Sequence, residues 1–414
     1  MLSRVAATLS FPREKIRVVL CEGVHPSAVA YFEQHGYTLV ESLPRAPSPS
    51  ELRQLVTDAH IVGIRSRTLL DRHALSAGSK LFAVGCFCIG TDQVDVEFAA
   101  ERGVPVFNAP HANTRSVAEL VIGLAIMLER DAFRKSGLVH AGSWPKSAAG
   151  AREVRGKTIG IVGYGHIGSQ VSVLAEGLGM RVLFYDIVPK LPLGNATPVA
   201  TLGELLAASD IVTLHVPQTA ATTGMMDAAR LSAMRKGAFL INTSRGVVVD
   251  QHALAAALRE GRLAGAAVDV FPTEPRSPEA PLDSPLRGLP NVILTPHVAG
   301  STEEAQEKIG AEVATKLVAY SDRGSTVGAV NFPELTVAPH DRANRILHIH
   351  ENVPGMLQRI NSAIAAEGIN VLAQHLETRK SVGYVVLDIE KKASSALLGR
   401  LKAIQGTIRA RILY

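Results

Sequence analysis

Three side chains in the second half of the chain have the types and the setting for proton and anion chemistry: Arg245, Glu274 and His297. Each follows a short apolar run (residues 238–242, 264–270 and 291–294) long enough for one strand. The strand ends of a parallel sheet open on one crevice, so polar residues set just after three such strands can meet there. An imidazole changes charge near neutral pH and can take a hydroxyl proton. A carboxylate on its second ring nitrogen fixes the tautomer and stabilises the imidazolium. A guanidinium grips a carboxylate through two parallel hydrogen bonds. The set suits oxidation of an alcohol carbon beside a carboxylate, provided that a hydride acceptor is near. Taken singly, His297 also reads as a loop histidine with satisfied bonds, and Glu274 as a surface acid.

The acceptor is implied by residues 158–186. An apolar run, Ile159–Val162, leads into Gly163-Tyr-Gly165-His166-Ile167-Gly168. Apolar residues at Val171, Leu174, Ala175 and Leu178 then predict a helix, and a second run over 181–185 ends on Asp186. In the order strand, glycine turn, helix, strand, acid, the first glycine allows a tight turn. The second lets the backbone approach a pyrophosphate, and the third lets helix and strand pack closely. The pyrophosphate would lie on the helix N-terminus. Asp186 falls eighteen residues after Gly168, near the spacing of a ribose-binding carboxylate, and favours NAD over its 2′-phosphorylated form.

The elements that position these groups alternate strand and helix along most of the chain. Strands are predicted from Ile16, over 36–40, 59–64, 81–85 and 104–107, before the glycine turn, and over 210–215 after it. The third of them ends at Arg65-Ser66-Arg67, where two guanidiniums suit a phosphate or carboxylate, or form a solvated pair. Asn113 precedes an apolar segment, 117–128, read as a buried helix leading into the nucleotide domain. Lys146, near the single tryptophan Trp144, reads equally as an ordinary surface lysine. The tail, from Arg345, predicts βαββαβ, a ferredoxin-like unit.

The 414 residues suffice for two or three domains, and the net charge of +5 is scattered, with no basic run to suggest nucleic acid. Cys21, Cys86 and Cys88 lack zinc spacing and suit buried thiols in a reducing compartment, so no metal is expected. No apolar stretch approaches the roughly 20 residues of a membrane helix. The first eleven residues read as a frayed tail of a cytoplasmic protein.

Several stretches resemble the D-isomer-specific 2-hydroxyacid dehydrogenases, in particular short bacterial members acting on 3-phosphoglycerate and ending in an ACT domain. They include IRSRT at 64–68, GCFCIGTDQVD at 85–95, NTRSVAELVIG at 113–123 and INTSRGVVVD at 241–250. AAVDVFPTEP at 266–275, LTPHVAGSTEEAQE at 294–307, HIHEN at 348–352 and GTIRARILY at 406–414 continue the match. The resemblance implies an α/β fold in which a Rossmann-type doubly wound nucleotide domain (113–299) is inserted in a flavodoxin-like substrate domain (12–112 and 300–341). An α+β ferredoxin-like ACT domain (342–414) follows. It implies His297 as acid/base, Glu274 as its partner and Arg245 as carboxylate clamp. The cofactor would run along Gly163, Gly165, His166, Ile167, Gly168, Asp186, Thr243, Ser244, Arg245, Asp269, His297 and Gly300. Arg65, Ser66, Arg67, Asn113 and Lys146 would surround 3-phosphoglycerate, the lysine reaching from a neighbouring subunit. His350, Asn352 and Asn370 would bind L-serine as a feedback inhibitor, in a homo-oligomer, a tetramer. A side activity on 2-oxoglutarate is also implied. The alternatives are a dehydrogenase of another D-2-hydroxy acid and a non-enzymatic NAD sensor. Departures from the family pattern are His111, where a phenylalanine is usual, Ala299, where a glycine is usual, and a last helix two residues shorter. Ala299 is expected to stiffen the backbone beside His297.

Overall fold

A computed structural model describes residues 12–275, 279–338, 344–390 and 393–413. The expected tail over 1–11 and the expected boundary at 341/342 lie outside the described residues. The chain divides into two compact units, one from the segments before Asn113 and after Ala305, the other Asn113–Ala305.

The first unit opens with five short strands: β1 Arg17–Leu20, β2 Leu39–Ser42, β3 Ile61–Ile64, β4 Ala83–Cys86 and β5 Val106–Asn108. They pair in parallel in the order β2-β1-β3-β4-β5, the flavodoxin-like winding. β3, β4 and β5 are buried at every position and are apolar but for Asn108 at the end of β5, as strands covered on both faces tend to be. The edge strand β2 is largely exposed and carries Glu41 and Ser42. Chain returning at 329–331 covers the other edge. Ala329 bridges Phe107 antiparallel, and the Asn331 amide accepts from Val106 N at 2.8 Å while donating to the Val96 and Val104 carbonyls.

The same unit carries the tail sheet: β13 Asn344–Glu351, β14 Val371–Arg379, β15 Val382–Ile389 and β16 Thr407–Leu413, antiparallel in the order β14-β15-β13-β16. With helices Met356–Ala365 and Ser395–Ala403 this is the βαββαβ unit expected. Its two helices pack on one face through Ile360, Ile364, Leu397 and Leu401. Its other face joins the core of the first sheet, where Val382, Tyr384 and Leu413 meet Phe82, Phe107, Tyr320 and Phe332. Tyr384 Oη donates to Gly324 O at 2.6 Å, and the Arg411 guanidinium lies 3.9 Å from the centre of the Phe82 ring.

The second unit is a seven-stranded parallel sheet: β6 Thr158–Val162, β7 Arg181–Tyr185, β8 Thr197–Pro198, β9 Ile211–Leu214, β10 Phe239–Asn242, β11 Gly265–Val268 and β12 Val292–Leu294. The order β12-β11-β10-β9-β6-β7-β8 starts in the middle, winds out to β8, then returns to the other side of β6. That reversal between β6 and β9 is where doubly wound sheets bind ligands.

Two predicted helices differ in detail. In His166–Gly177, Val171 and Ala175 are buried, but Leu178 is the C-cap and 37% exposed, because the glycines at 177 and 179 end the helix one residue before it. Thr114–Arg130 is amphipathic rather than buried all round: Val117, Val121, Leu124 and Leu128 face inward, while Arg115 and Glu119 pair on the outside. Glu129 on this helix is fully buried with neither oxygen hydrogen-bonded, and Arg152 stands 3.6 Å away. Burial outweighs the attraction of Arg152 and Lys157 and raises the carboxyl above its ordinary value. A raised acid destabilises the fold as pH climbs past its unfolded value. Glu129→Gln should therefore have a higher Tm than the parent at pH 7, the gain shrinking below about pH 4. Thermal melts at both pH values measure this.

Candidate active site

All three residues singled out for proton and anion chemistry stand in the second unit, just beyond the carboxyl ends of β10, β11 and β12. Arg245 is set by a tight turn after β10. Asn242 Oδ1 accepts from Ser244 N (3.1 Å) and Ser244 Oγ (2.8 Å), and Asn242 Nδ2 donates to Arg245 O (3.1 Å). A side chain at Gly246 would place its Cβ 2.0 Å from the Phe271 carbonyl carbon, so only glycine lets this turn lie against the β11 loop. Arg245 stays partly exposed, with Nη1 on Ser244 O at 2.8 Å.

His297 has a positive φ of 56°, a conformation L residues adopt only when the surroundings impose it. Asp269, fully buried after β11, does the imposing. Its carboxylate accepts from Thr295 Oγ1 (2.5 Å), Val298 N (2.9 Å) and Ala299 N (2.9 Å), and its carbonyl accepts from His297 N (2.9 Å). The imidazole Nδ1 then lies 2.9 Å from both Oε1 and Oε2 of Glu274. Glu274 thus engages Nδ1, not Nε2, of a ring that is half exposed. Ala299, expected to constrain the backbone, is not in the left-handed region and packs its methyl into the core, so it adds no strain beside His297. Asn113 is brought to the same loop: a Cβ at Gly300 would sit 2.0 Å from its amide nitrogen, and Asn113 Oδ1 is buried without a partner.

At the switch point the glycines behave as their spacing implies. A Cβ at Gly163 (φ 91°) would fall 2.3 Å from His215 O, and one at Gly168 would fall 2.2 Å from Gly163 O. Gly165 meets nothing within 4 Å, which leaves open space at the N-cap of the helix beginning at His166. Asp186 stands beside this turn, accepting from Tyr164 N (2.8 Å) and Val188 N (3.0 Å). Tyr164 points inward, stacked on Phe184 at 3.8 Å, and locks the turn to β7. An anionic, ribose-bearing ligand fits this donor set: open backbone at a helix start with a carboxylate alongside. Thr243 and Ser244 are buried below the Arg245 turn. Lys146 and Trp144 are exposed.

The remaining predicted residues lie in the first unit. Arg65, Ser66 and Arg67 follow β3, held from beneath by Glu22 and Gln93. In the tail, His350 is buried near the end of β13, its ring filling the space left by Gly383, and Asn352 Nδ2 donates to Lys380 O at 3.2 Å. Asn370 does not join them. It precedes β14, whose first residue pairs Ile389, whereas His350 pairs Gly383 at the other end of β15. The intervening strand separates them by roughly 20 Å. No cluster of His, Cys, Asp and Glu suited to a metal occurs among the described residues, and none of their helices is long and apolar enough to cross a membrane.

The sequence profile of the D-isomer specific 2-hydroxyacid dehydrogenase NAD-binding domain matches residues 122–299, and that of an AHAS small subunit-like ACT domain matches 346–409. The chain is 53% identical over 98% of its length, and 99% of the relative's, to a D-3-phosphoglycerate dehydrogenase of Haemophilus influenzae. It is 53% identical over 99% of its length, and 100% of the relative's, to one of Escherichia coli. The chain belongs to the D-3-phosphoglycerate dehydrogenases, within the D-isomer specific 2-hydroxyacid dehydrogenases. A D-lactate dehydrogenase of Aquifex aeolicus, solved with NAD and lactic acid, superposes with a TM-score of 0.65 at 28% identity, covering 73% of this chain and 95% of its own. The enzyme's cofactor is NAD.

In this dehydrogenase the charges around His297 oppose one another. The hydrogen bond that Nδ1–H donates to Glu274 raises the imidazole above its ordinary value, against burial and the nearby positive charge of Arg245. Burial alone would raise Glu274, but its bond and attraction to His297 bring it below the ordinary carboxylate value. If His297 is the base, oxidation needs it neutral, and activity should fall as pH drops through the raised value. Glu274→Gln removes the attraction and leaves burial and Arg245 to lower the imidazole. The acid limb of kcat/KM against pH should move to lower pH while kcat falls by about tenfold or more. An acid limb that stays in place or moves up contradicts the pairing. Asn242 and Asp269 are the supports that sequence reasoning passed over or read otherwise. The only signal for Asp269 is one acid inside an apolar run, and Asn242 shows only as the first polar residue after its own.

Proposed function

We propose that the chain oxidises 3-phospho-D-glycerate to 3-phosphohydroxypyruvate, the entry step of serine synthesis, under feedback inhibition by L-serine. The observation that carries the reaction is the His297–Glu274 pair bonded at 2.9 Å in the unit that bears the NAD fingerprint, with Arg245 close enough to act on both charges. NAD, when bound, accepts the hydride that leaves C2 of the substrate. His297 Nε2 takes the C2 hydroxyl proton, and Glu274 steadies the imidazolium that results. Arg245 grips the substrate carboxylate, which orients C2. Gly163, Gly165, His166, Ile167 and Gly168 cradle the pyrophosphate, Asp186 takes the ribose hydroxyls, and Thr243, Ser244, Asp269 and Gly300 line the nicotinamide side. Asn113 supports the substrate, Lys146 serves a neighbouring subunit, and Arg65, Ser66 and Arg67 take the phosphate. The relatives' name supports this choice of substrate over another D-2-hydroxy acid.

Serine binds at His350, Asn352 and Asn370. Because one chain holds Asn370 at the far end of the sheet from the other two, the effector site takes its residues from two copies, which supports a homo-oligomer. The assembly is a tetramer, as the family resemblance implies, and works in the cytoplasm. Reduction of 2-oxoglutarate is a side activity of the same site. The test is NADH formation from NAD and 3-phosphoglycerate with L-serine titrated in. Turnover suppressed by serine supports both parts. Turnover indifferent to serine removes the effector site alone. Absence of turnover with NAD bound removes the reaction and leaves a dehydrogenase of another D-2-hydroxy acid or a sensor.

A further inference from the structure

Glu22 is the one residue of the β1 end with a positive φ (68°) that is not glycine, and it is 9% exposed. Its carboxylate accounts for that strain. Oε1 accepts from Thr68 N (2.7 Å) and Arg65 N (3.2 Å), and Oε2 accepts from Arg67 N (3.0 Å). Three of the four backbone amides from 65 to 68 thus converge on one buried side chain. Only Ser66, at the exposed tip, is not among them. The backbone of Glu22 is itself pinned, its N–H on Arg45 O at 3.2 Å and that of Gly23 on Leu43 O at 2.8 Å. From the other side, Gln93, also 9% exposed, donates to Arg65 O at 2.8 Å, and the Arg65 guanidinium reaches Glu22 O at 3.4 Å.

A carboxylate under two guanidiniums is a poor choice if the loop's task were only to attract anions, since it subtracts from their field. It is a good choice for shape. A carboxylate is the side-chain group that accepts three converging amides with two oxygens and offers no donor in return. We propose that Glu22 is a positioning residue for anion recognition: by holding the amides of Arg65, Arg67 and Thr68 it keeps the loop in the form that presents both guanidiniums to the substrate phosphate. The inference rests on the reading of Arg65 and Arg67 as the phosphate site.

The two possible roles of Glu22 give opposite signs. Glu22→Gln keeps the volume, removes the negative charge and turns an amide donor toward Arg67 N. If Glu22 merely modulated the field, KM for 3-phosphoglycerate would fall. Positioning requires that it rise, by about tenfold or more, with kcat and the KM for NAD held within about threefold. The kcat/KM for unphosphorylated D-glycerate should stay within about threefold as well, so phosphate discrimination collapses. An unchanged or lower KM for 3-phosphoglycerate overturns the proposal. Arg65→Ala and Arg67→Ala, measured alongside, separate the two layers. If they raise that KM and Glu22→Gln does not, only the role of Glu22 is lost. If none of the three raises it, the phosphate reading is lost and Glu22 with it. Should Glu22→Gln fail to melt cooperatively, Glu22→Asp retains the charge but withdraws it by one methylene, and the same rise in KM is required of it.

Discussion

Replacing His297 by alanine should lower kcat by about 10²- to 10⁴-fold, the contribution of a positioned general base. NADH should still bind. The cofactor end of the site is built on Gly163, Gly165, Gly168 and Asp186, at the switch between β6 and β9, whereas His297 follows β12 at the sheet edge. The loop itself should survive, because its shape comes from Asp269 accepting Thr295 Oγ1, Val298 N and Ala299 N, not from the imidazole. Alanine must still adopt the positive φ, so a modest loss of Tm accompanies the loss of rate. Stopped-flow NADH fluorescence and steady-state turnover on the same preparation check both halves. Unchanged turnover removes His297 from the chemistry.

Arg245 should show a different signature. Arg245→Ala leaves a substrate carboxylate without its charged partner, a loss of about 2–4 kcal/mol, or about 30- to 1000-fold in kcat/KM. Much of it should fall on KM, with part on kcat because the clamp orients C2. The loss also removes a positive charge from beside His297 and Glu274, so the imidazole rises further and the acid limb of the pH profile moves up, opposite to the shift expected for Glu274→Gln. Arg245→Lys should recover only part of the loss, since an ammonium cannot form the two-bonded fork. Full recovery by lysine contradicts a bidentate grip.

Much of this site is legible in the sequence. The short apolar runs could hardly be anything but buried parallel strands, and each glycine of the fingerprint has a steric task that no other residue performs. What was hidden shares a physical cause. Glu22, Asn242 and Asp269 act by accepting backbone N–H groups from segments up to 46 residues away, as with Glu22 and Thr68. Nothing in local periodicity records which amide a buried carboxylate will meet. Leu178 fits the helical spacing yet lies outside, because the glycines at 177 and 179 set where the helix stops. Asn370 reads as a partner of His350 and Asn352 by motif, but the antiparallel order of β13, β14 and β15 carries it to the far end of the sheet. Topology, not composition, decides that distance.

The most direct test of the whole reading is the initial rate of NADH formation with 3-phospho-D-glycerate, D-glycerate and D-lactate under identical conditions. A two-guanidinium loop and an intact His297–Glu274–Arg245 set require kcat/KM for the phosphorylated acid to exceed the others by about 10²-fold or more. Equal rates, or a preference for an unphosphorylated acid, would contradict the assignment of Arg65 and Arg67 and the choice of substrate with it.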